Sequence, residues 1–286
     1  MKRVLLSLAL TVVLAAPCVA SRTLTDETGR KVVVPDHPHR VICLMPSVTD
    51  VVFSLGADDD VVAISDYTKY PAAALKKPSV GDLIKPSIEM ILSLHPDLVI
   101  GMQPKGPMEV TDQLERVGIP IFLVDPHGIA GIFHSVESIG QALNRTAQAD
   151  ALIHTLQQRV NAVRARTKGQ PTPKVFMPIW YDPITTIGKN AFITEVIEAA
   201  GGRSVTDDLP TEWPQISMEV VLERAPEALL LVRGGKTTLQ VLQNRPGWSS
   251  MTAIKEHRAY YVDDRINFAS PVAIDALEDL AKQFHP

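Results

Sequence analysis

The stretch Ser87-Ile88-Glu89-Met90-Ile91-Leu92, followed by Pro96-Asp97, returns 130 residues later as Ser217-Met218-Glu219-Val220-Val221-Leu222, followed by Pro226-Glu227. An apolar run comes next in both places. A weaker pair lies upstream in the same order: Thr49-Asp50-Val51-Val52 with Gly56, and Thr194-Glu195-Val196-Ile197 with Gly201. Two matches in one order predict a duplicated unit, and so two similar lobes. In each copy the serine is placed to cap a helix by accepting first-turn N–H bonds. The glutamate two residues on sits where the helix dipole favours negative charge.

Working outward, short apolar runs at 41–44, 61–64, 98–100 and 121–124 are bounded by turn residues and read as strands. Helical patterns at 50–55, 87–94 and 110–117 separate them. Such alternation predicts a largely parallel sheet. Before it, β-prone runs at 22–25 and 31–34 flank a turn at Gly29 and predict a hairpin. From 146 to 168 one face carries Leu152, Ile153, Leu156, Val160 and Val163 without a proline. One helix of that length reaches about 34 Å at ~1.5 Å per residue, enough to run behind two lobes. The alternation then resumes, with strands expected at 175–179, 229–232 and 259–262 and helices at 192–200, 217–224 and 271–283. The expected fold class is therefore α/β: two similar lobes, each a mostly parallel sheet flanked by helices, joined by one long helix. The expected bounds are 1–20 for a signal peptide, 21–145 for the first lobe, 146–169 for the connecting helix and 170–286 for the second lobe.

The amino terminus supports the first of these bounds. Lys2 and Arg3, an apolar run from 4 to 16, and then Pro17-Cys18-Val19-Ala20 follow the order of a secretory signal, with cleavage expected after Ala20. Lipidation at Cys18 is the alternative, and Pro17 fits it poorly. Cys43 then remains as the one mature cysteine, in an apolar run where a buried core role is expected. The formal charge of −4 becomes more negative once Lys2 and Arg3 are removed, and basic residues are scattered, so nucleic acid is not an expected partner.

Catalysis finds little support. There is no His-Glu-x-x-His, Gly-x-Ser-x-Gly or phosphate-loop pattern, and His37 with His39 lies in a proline-flanked connection. A metal-cluster oxidoreductase subunit is the enzymatic rival, but such clusters need several cysteines. A binder of free zinc or manganese would want three or four converging His and carboxylate ligands. The expectation is no catalytic residue, no metal site and no resident cofactor. Trp180 and Tyr181 follow the run 175–179, at the carboxyl end of an expected parallel strand, where open α/β sheets place their crevices. Arg233 and Arg265 are candidates for bidentate anion contacts.

Several marks together resemble one family. They are Asp26 with Gly29-Arg30, the run from Arg40 through Pro46-Ser47-Val48-Thr49-Asp50, Ser65-Asp66-Tyr67 with Tyr70-Pro71, and residues 86–100. The family is that of the periplasmic binding proteins that bring cobalamin, ferric siderophores and haem to ABC importers. Gly188-Lys189, Trp213-Pro214-Gln215-Ile216-Ser217 and Ala269-Ser270-Pro271 look most like its cobalamin binders. The resemblance implies a periplasmic, monomeric, non-enzymatic protein that holds a metal chelate, cobalamin first and a siderophore or haem second. It implies that Tyr67 and Trp213 line the cleft, and that Glu89 and Glu219 meet arginines of the importer's membrane subunits. Leu83 stands where a tryptophan is expected and Phe268 where an arginine is expected, with Arg265 a candidate to supply the missing charge.

Overall fold

The computed structural model describes residues 20–82, 85–103 and 109–286. Residues 1–19 of the expected signal, Cys18 among them, lie outside this set, as does Leu83. The first lobe opens with a hairpin, β1 (Ser21–Thr25) and β2 (Lys31–Pro35), turned through Gly29 at φ +85°. It continues with β3 (Val41–Cys43), α1 (Pro46–Ser54), β4 (Val61–Ile64), α2 (Ile88–Ser93), β5 (Leu98–Met102), α3 (Glu109–Arg116), β6 (Ile121–Val124) and α4 (Gly128–Ala142). A 22-residue helix, α5 (Thr146–Thr167), leads to the second lobe. There follow β7 (Lys174–Phe176), β8 (Pro178–Tyr181), β9 (Ile184–Thr186), α6 (Phe192–Ala199), β10 (Arg203–Ser204) and α7 (Met218–Glu223). The chain ends with β11 (Ala228–Val232), α8 (Leu239–Gln243), α9 (Thr252–Lys255), β12 (Ala259–Val262) and α10 (Val272–Phe284).

The two main sheets repeat one topology. Their strand orders are β4-β3-β5-β6 and β10-β7-β11-β12, and every neighbouring pair is parallel. The quoted repeat now has a physical meaning. Ser87 and Ser217 each accept the N–H three residues on, at 3.2 and 3.4 Å, and so start α2 and α7. Eight residues after each serine the backbone turns left-handed, at His95 and Ala225, both with φ +46°. The acid beyond the proline then grips the start of the first strand of its lobe's parallel sheet, β3 or β7. Asp97 accepts from the N–H groups of His39 and Arg40 at 2.8 and 3.0 Å, and Glu227 accepts from that of Lys174 at 3.3 Å.

Strand alternation distributes side chains to two faces. In the first sheet Ile42, Val99, Ile121 and Leu123 pack under α2 and α3, while Val41, Cys43, Leu98, Ile100, Phe122 and Val124 face the opposite way. In the second sheet Leu229 and Leu231 lie under α7, α8 and α9, and Ala228 and Leu230 face inward. Both inward faces join one core that also takes Leu156, Val160 and Val163 from α5 and residues of α1, α4, α6 and α10. The lobes therefore share packing. Asp26 hooks the amino-terminal hairpin to the edge strand β6. Burial raises the pKa of its carboxyl, but bonds from Thr28 and Arg30 outweigh that and leave it below the ordinary range, and it also accepts from the Leu123 N–H at 3.3 Å.

Two expectations need correction. The strand expected at 175–179 divides: β7 stops at Phe176, and Pro178, which has no N–H to donate, opens the separate antiparallel pair β8–β9. Trp180 and Tyr181 thus belong to a hairpin beyond the parallel sheet. The first helix begins at Pro46 instead of 50, because proline suits the first helical position, where an N–H has no partner to lose.

Candidate functional site

The loops after β4 and after β12 meet across the lobes. Tyr70 Oη donates to Asp264 Oδ1 at 2.8 Å, Lys69 Nζ pairs with Asp264 Oδ2 at 2.7 Å, and the Tyr70 and Phe268 rings meet edge to face at 6.4 Å. Both loops leave the carboxyl ends of their strands, so those ends face one another across the seam. This is the end at which open α/β sheets bind ligands. Partial burial and the Asp264 carboxylate push the Tyr70 hydroxyl up to about 12, which keeps it a neutral donor.

Tyr67 reaches solvent for a local reason. The Thr68 N–H donates to the Ser65 carbonyl at 3.1 Å, Ser65 and Thr68 are buried, and the two corner residues between them, Asp66 and Tyr67, point out. Tyr67 is 53% exposed. Trp213 lies in the corresponding connection of the second lobe, between β10 and α7, and is 46% exposed. Its segment runs beside β9, with Thr186 N–H donating to the Pro214 carbonyl at 3.0 Å and Gly188 N–H to that of Glu212 at 2.9 Å. Gly188 is required there, since a Cβ would fall 2.0 Å from the Thr211 carbonyl oxygen.

Trp180 and Tyr181 stack at 4.9 Å with planes 16° apart, and the Arg245 guanidinium lies 3.7 Å from the centre of the Tyr181 ring. The Trp180 indole N–H donates to the Asp182 carbonyl at 2.8 Å, which fixes the ring. Arg245 is not legible in the sequence, because it arrives from a turn far along the chain. Among the described residues no ring contact or hydrogen bond joins Tyr67 to Trp213.

The remaining candidates are placed differently. Arg265 is held by Asp263 at 2.9 Å and Asp275 at 3.0 Å, and Asp275 also pairs with Arg159 of α5, which reaches Glu278. Its guanidinium serves a network between α5 and α10. Phe268 is occupied by Tyr70. Arg233 pairs weakly with Asp279 at 3.5 Å and lines a cavity of about 410 Å³ with Thr237, Gln240, Gln243, His257 and Tyr261. Tyr67, Trp180, Tyr181 and Trp213 do not border that cavity. Glu89 and Glu219 are exposed in the first turns of α2 and α7. A bond from Ser217 lowers the pKa of Glu219.

Sequence reasoning missed a second kind of lobe contact. Asp50 of α1 accepts from the Val272 N–H that opens α10, at 3.1 Å, and Glu195 of α6 accepts from the Ile129 N–H near the start of α4, at 2.7 Å. Neither α4 nor α10 has a side-chain cap of its own. Each borrows an acid from the other lobe, and the two acids occupy the same place in the Thr-acid repeat. That shared position is the signal that points to them.

Two lobes of one topology, with exposed rings on the loops at their facing strand ends, define a bilobal solute-binding fold. The chain belongs to the periplasmic binding protein family, which its residues 41–266 match. It is 30% identical over 272 residues to the ABC transporter substrate-binding lipoprotein YvrC of Bacillus subtilis, spanning 92% of this chain and 85% of that one. It is 31% identical over 244 residues to the vitamin B12-binding protein of Yersinia pestis, spanning 85% of each. Among solved structures it resembles the apo periplasmic haem-binding protein RhuT of Roseiflexus sp. RS-1, with a TM-score of 0.79, 26% identity, and coverage of 86% of this chain and 98% of that one. The chain is accordingly a substrate-binding protein of an ABC transporter, working outside the cytoplasm.

Proposed function

We propose that this protein binds cobalamin between its lobes as a periplasmic monomer and delivers it to the membrane subunits of an ABC importer, with no bond made or broken and no resident cofactor or metal. The observation that carries this reading is the placement of two exposed rings, Tyr67 after β4 and Trp213 after β10, on equivalent connections of twin lobes. Rings cover a large flat ligand at small entropic cost. Glu89 and Glu219, one on each lobe, suit a receptor built of two similar subunits. Haem or a ferric siderophore is the second reading. It is favoured by Arg245 beside the Tyr181–Trp180 stack, a fixed cation next to an aromatic wall that suits a planar ligand bearing acidic groups.

Calorimetric titration with cobalamin, haem and ferric siderophores tests the assignment. Cobalamin should bind, and Tyr67→Ala and Trp213→Ala should each weaken it roughly tenfold to a hundredfold, the loss expected for about 1–3 kcal/mol of ring burial. Binding of cobalamin unchanged in both variants would remove the cleft from this account.

A further inference from the structure

The two copies of the repeat differ at most positions, and the identities that remain sort by cause. Ser87 and Ser217 cap their helices, and Pro96 and Pro226 end the turns that follow. The buried position is not even identical: Ile91 in one lobe is Val221 in the other, both with no exposure. Glu89 and Glu219 sit in first turns, where the helix dipole favours them, but the identity of Leu92 with Leu222 has no such internal explanation. The leucines are 37% and 40% exposed, so core packing does not hold them. The glutamates make no ion pair among the described residues. Residues three apart on a helix are surface neighbours, so each lobe presents a carboxylate beside an exposed leucine, in the same orientation to its own sheet.

We propose that Leu92 and Leu222 are apolar anchors that seat, one per lobe, in shallow apolar depressions of the importer's two membrane subunits, each beside the cation that meets Glu89 or Glu219. The proposal rests on the docking reading above and adds to it the second half of the contact. A carboxylate alone is screened by salt and contributes mainly orientation and encounter rate, whereas an apolar side chain desolvated beside it slows dissociation. The partner must therefore display a basic residue next to an apolar hollow, twice, about a twofold axis. The duplication of the lobes supplies that symmetry without a second copy of this chain.

The test measures association of the full-length processed protein with its importer's membrane complex in lipid nanodiscs, by interferometry at two salt concentrations. Leu92→Ser and Leu222→Ser should each weaken binding roughly tenfold, mostly through faster dissociation, with little change in salt dependence. Leu92→Met should restore most of it. Circular dichroism melts and cobalamin titration of the same variants should match the parent, since both sites are at the surface. Glu89→Arg with Glu219→Arg is run in parallel: it should weaken association and flatten the salt dependence. Serine variants that bind the complex within about twofold of the parent, against the tenfold expected of a lost anchor, overturn the anchor proposal. If the charge reversals also bind like the parent, the docking reading falls with it; if they alone weaken binding, that reading stands without the anchors.

Discussion

Replacing Gly128 by alanine should strike the contact that ties α4 to the opposite lobe. Gly128 has φ +67°, and a Cβ there would fall 2.1 Å from Glu195 Oε2, the oxygen that accepts the Ile129 N–H at 2.7 Å. Two costs follow. A non-glycine residue in the left-handed region costs about 1–2 kcal/mol. The displaced carboxylate leaves α4 without its cap, worth about 0.5–2 kcal/mol. The sum, roughly 2–4 kcal/mol, corresponds to a fall in Tm of about 4–16 °C for a chain near this size. Glu195→Ala should cost the cap and little else, its pair with Arg164 at 3.8 Å being an exposed one. In the double variant the backbone strain persists but the cap can be lost only once, so the two single effects should together exceed the double by about 1 kcal/mol. Thermal and urea melts of the four proteins, followed by circular dichroism, measure this directly. Strict additivity would mean that Gly128 and Glu195 do not share a contact, and the borrowed-cap account would fail.

Two other outcomes are expected. Burial raises the pKa of Asp50, against the opposing bond from the Val272 N–H, so its folded pKa lies above its unfolded one; its contribution is then fully present below the ordinary aspartate range and is lost as pH rises through the raised value. The Asp50→Asn substitution keeps an acceptor without the charge, so the variant's Tm should equal or exceed the parent's at neutral pH, and its standing against the parent should worsen as the pH is lowered; a Tm difference independent of pH would refute the shift. Burial pushes the Cys43 thiol up to about 12, so peptide mapping after iodoacetamide treatment should find it unmodified in the native protein and alkylated in guanidinium.

Much of the fold is legible because its strands are buried on both faces and so appear as short unbroken apolar runs between turn residues. The repeat locates α2, α7 and their following strands closely, since cap, turn and stop recur together. Helix α4 escapes recognition. Its apolar residues Ile129, Ile132, Val136 and Ile139 have helical spacing, but Gly128, Gly131 and Gly140 punctuate them and argue for loops. Gly140 is there for contact instead: a Cβ on it would lie 2.5 Å from that of Ala149, so it lets α4 and α5 cross closely. The candidate site is legible only where a single residue carries the feature. Tyr67 and Trp213 stand on exposed connections, whereas Arg245 over Tyr181 and the acids Asp50 and Glu195 take their meaning from partners remote in sequence, 222 residues away in the case of Asp50.

The lobe contacts differ in kind, and the difference bears on how the seam can move. The borrowed caps open α4 and α10, whose Ile129, Ala273 and Ile274 join Val160 and Val163 of α5 in the shared core; Asp50 is buried and Glu195 half-buried, and loss of either would leave a helix terminus without its cap beside that core. The contacts of Lys69 and Tyr70 with Asp264 lie on loops at the strand ends, and Lys69 remains largely in solvent. Breaking the latter costs little, because water replaces an exposed ion pair at close to its own energy. Opening for a ligand should therefore proceed by parting the loops at the rim, with the caps and α5 unmoved. Each lobe would keep its orientation while the side chains around Tyr70 and Phe268 rearrange. A small change in lobe angle between the free and loaded protein is the expected consequence, since Asp50 and Glu195 each tie a helix of the opposite lobe.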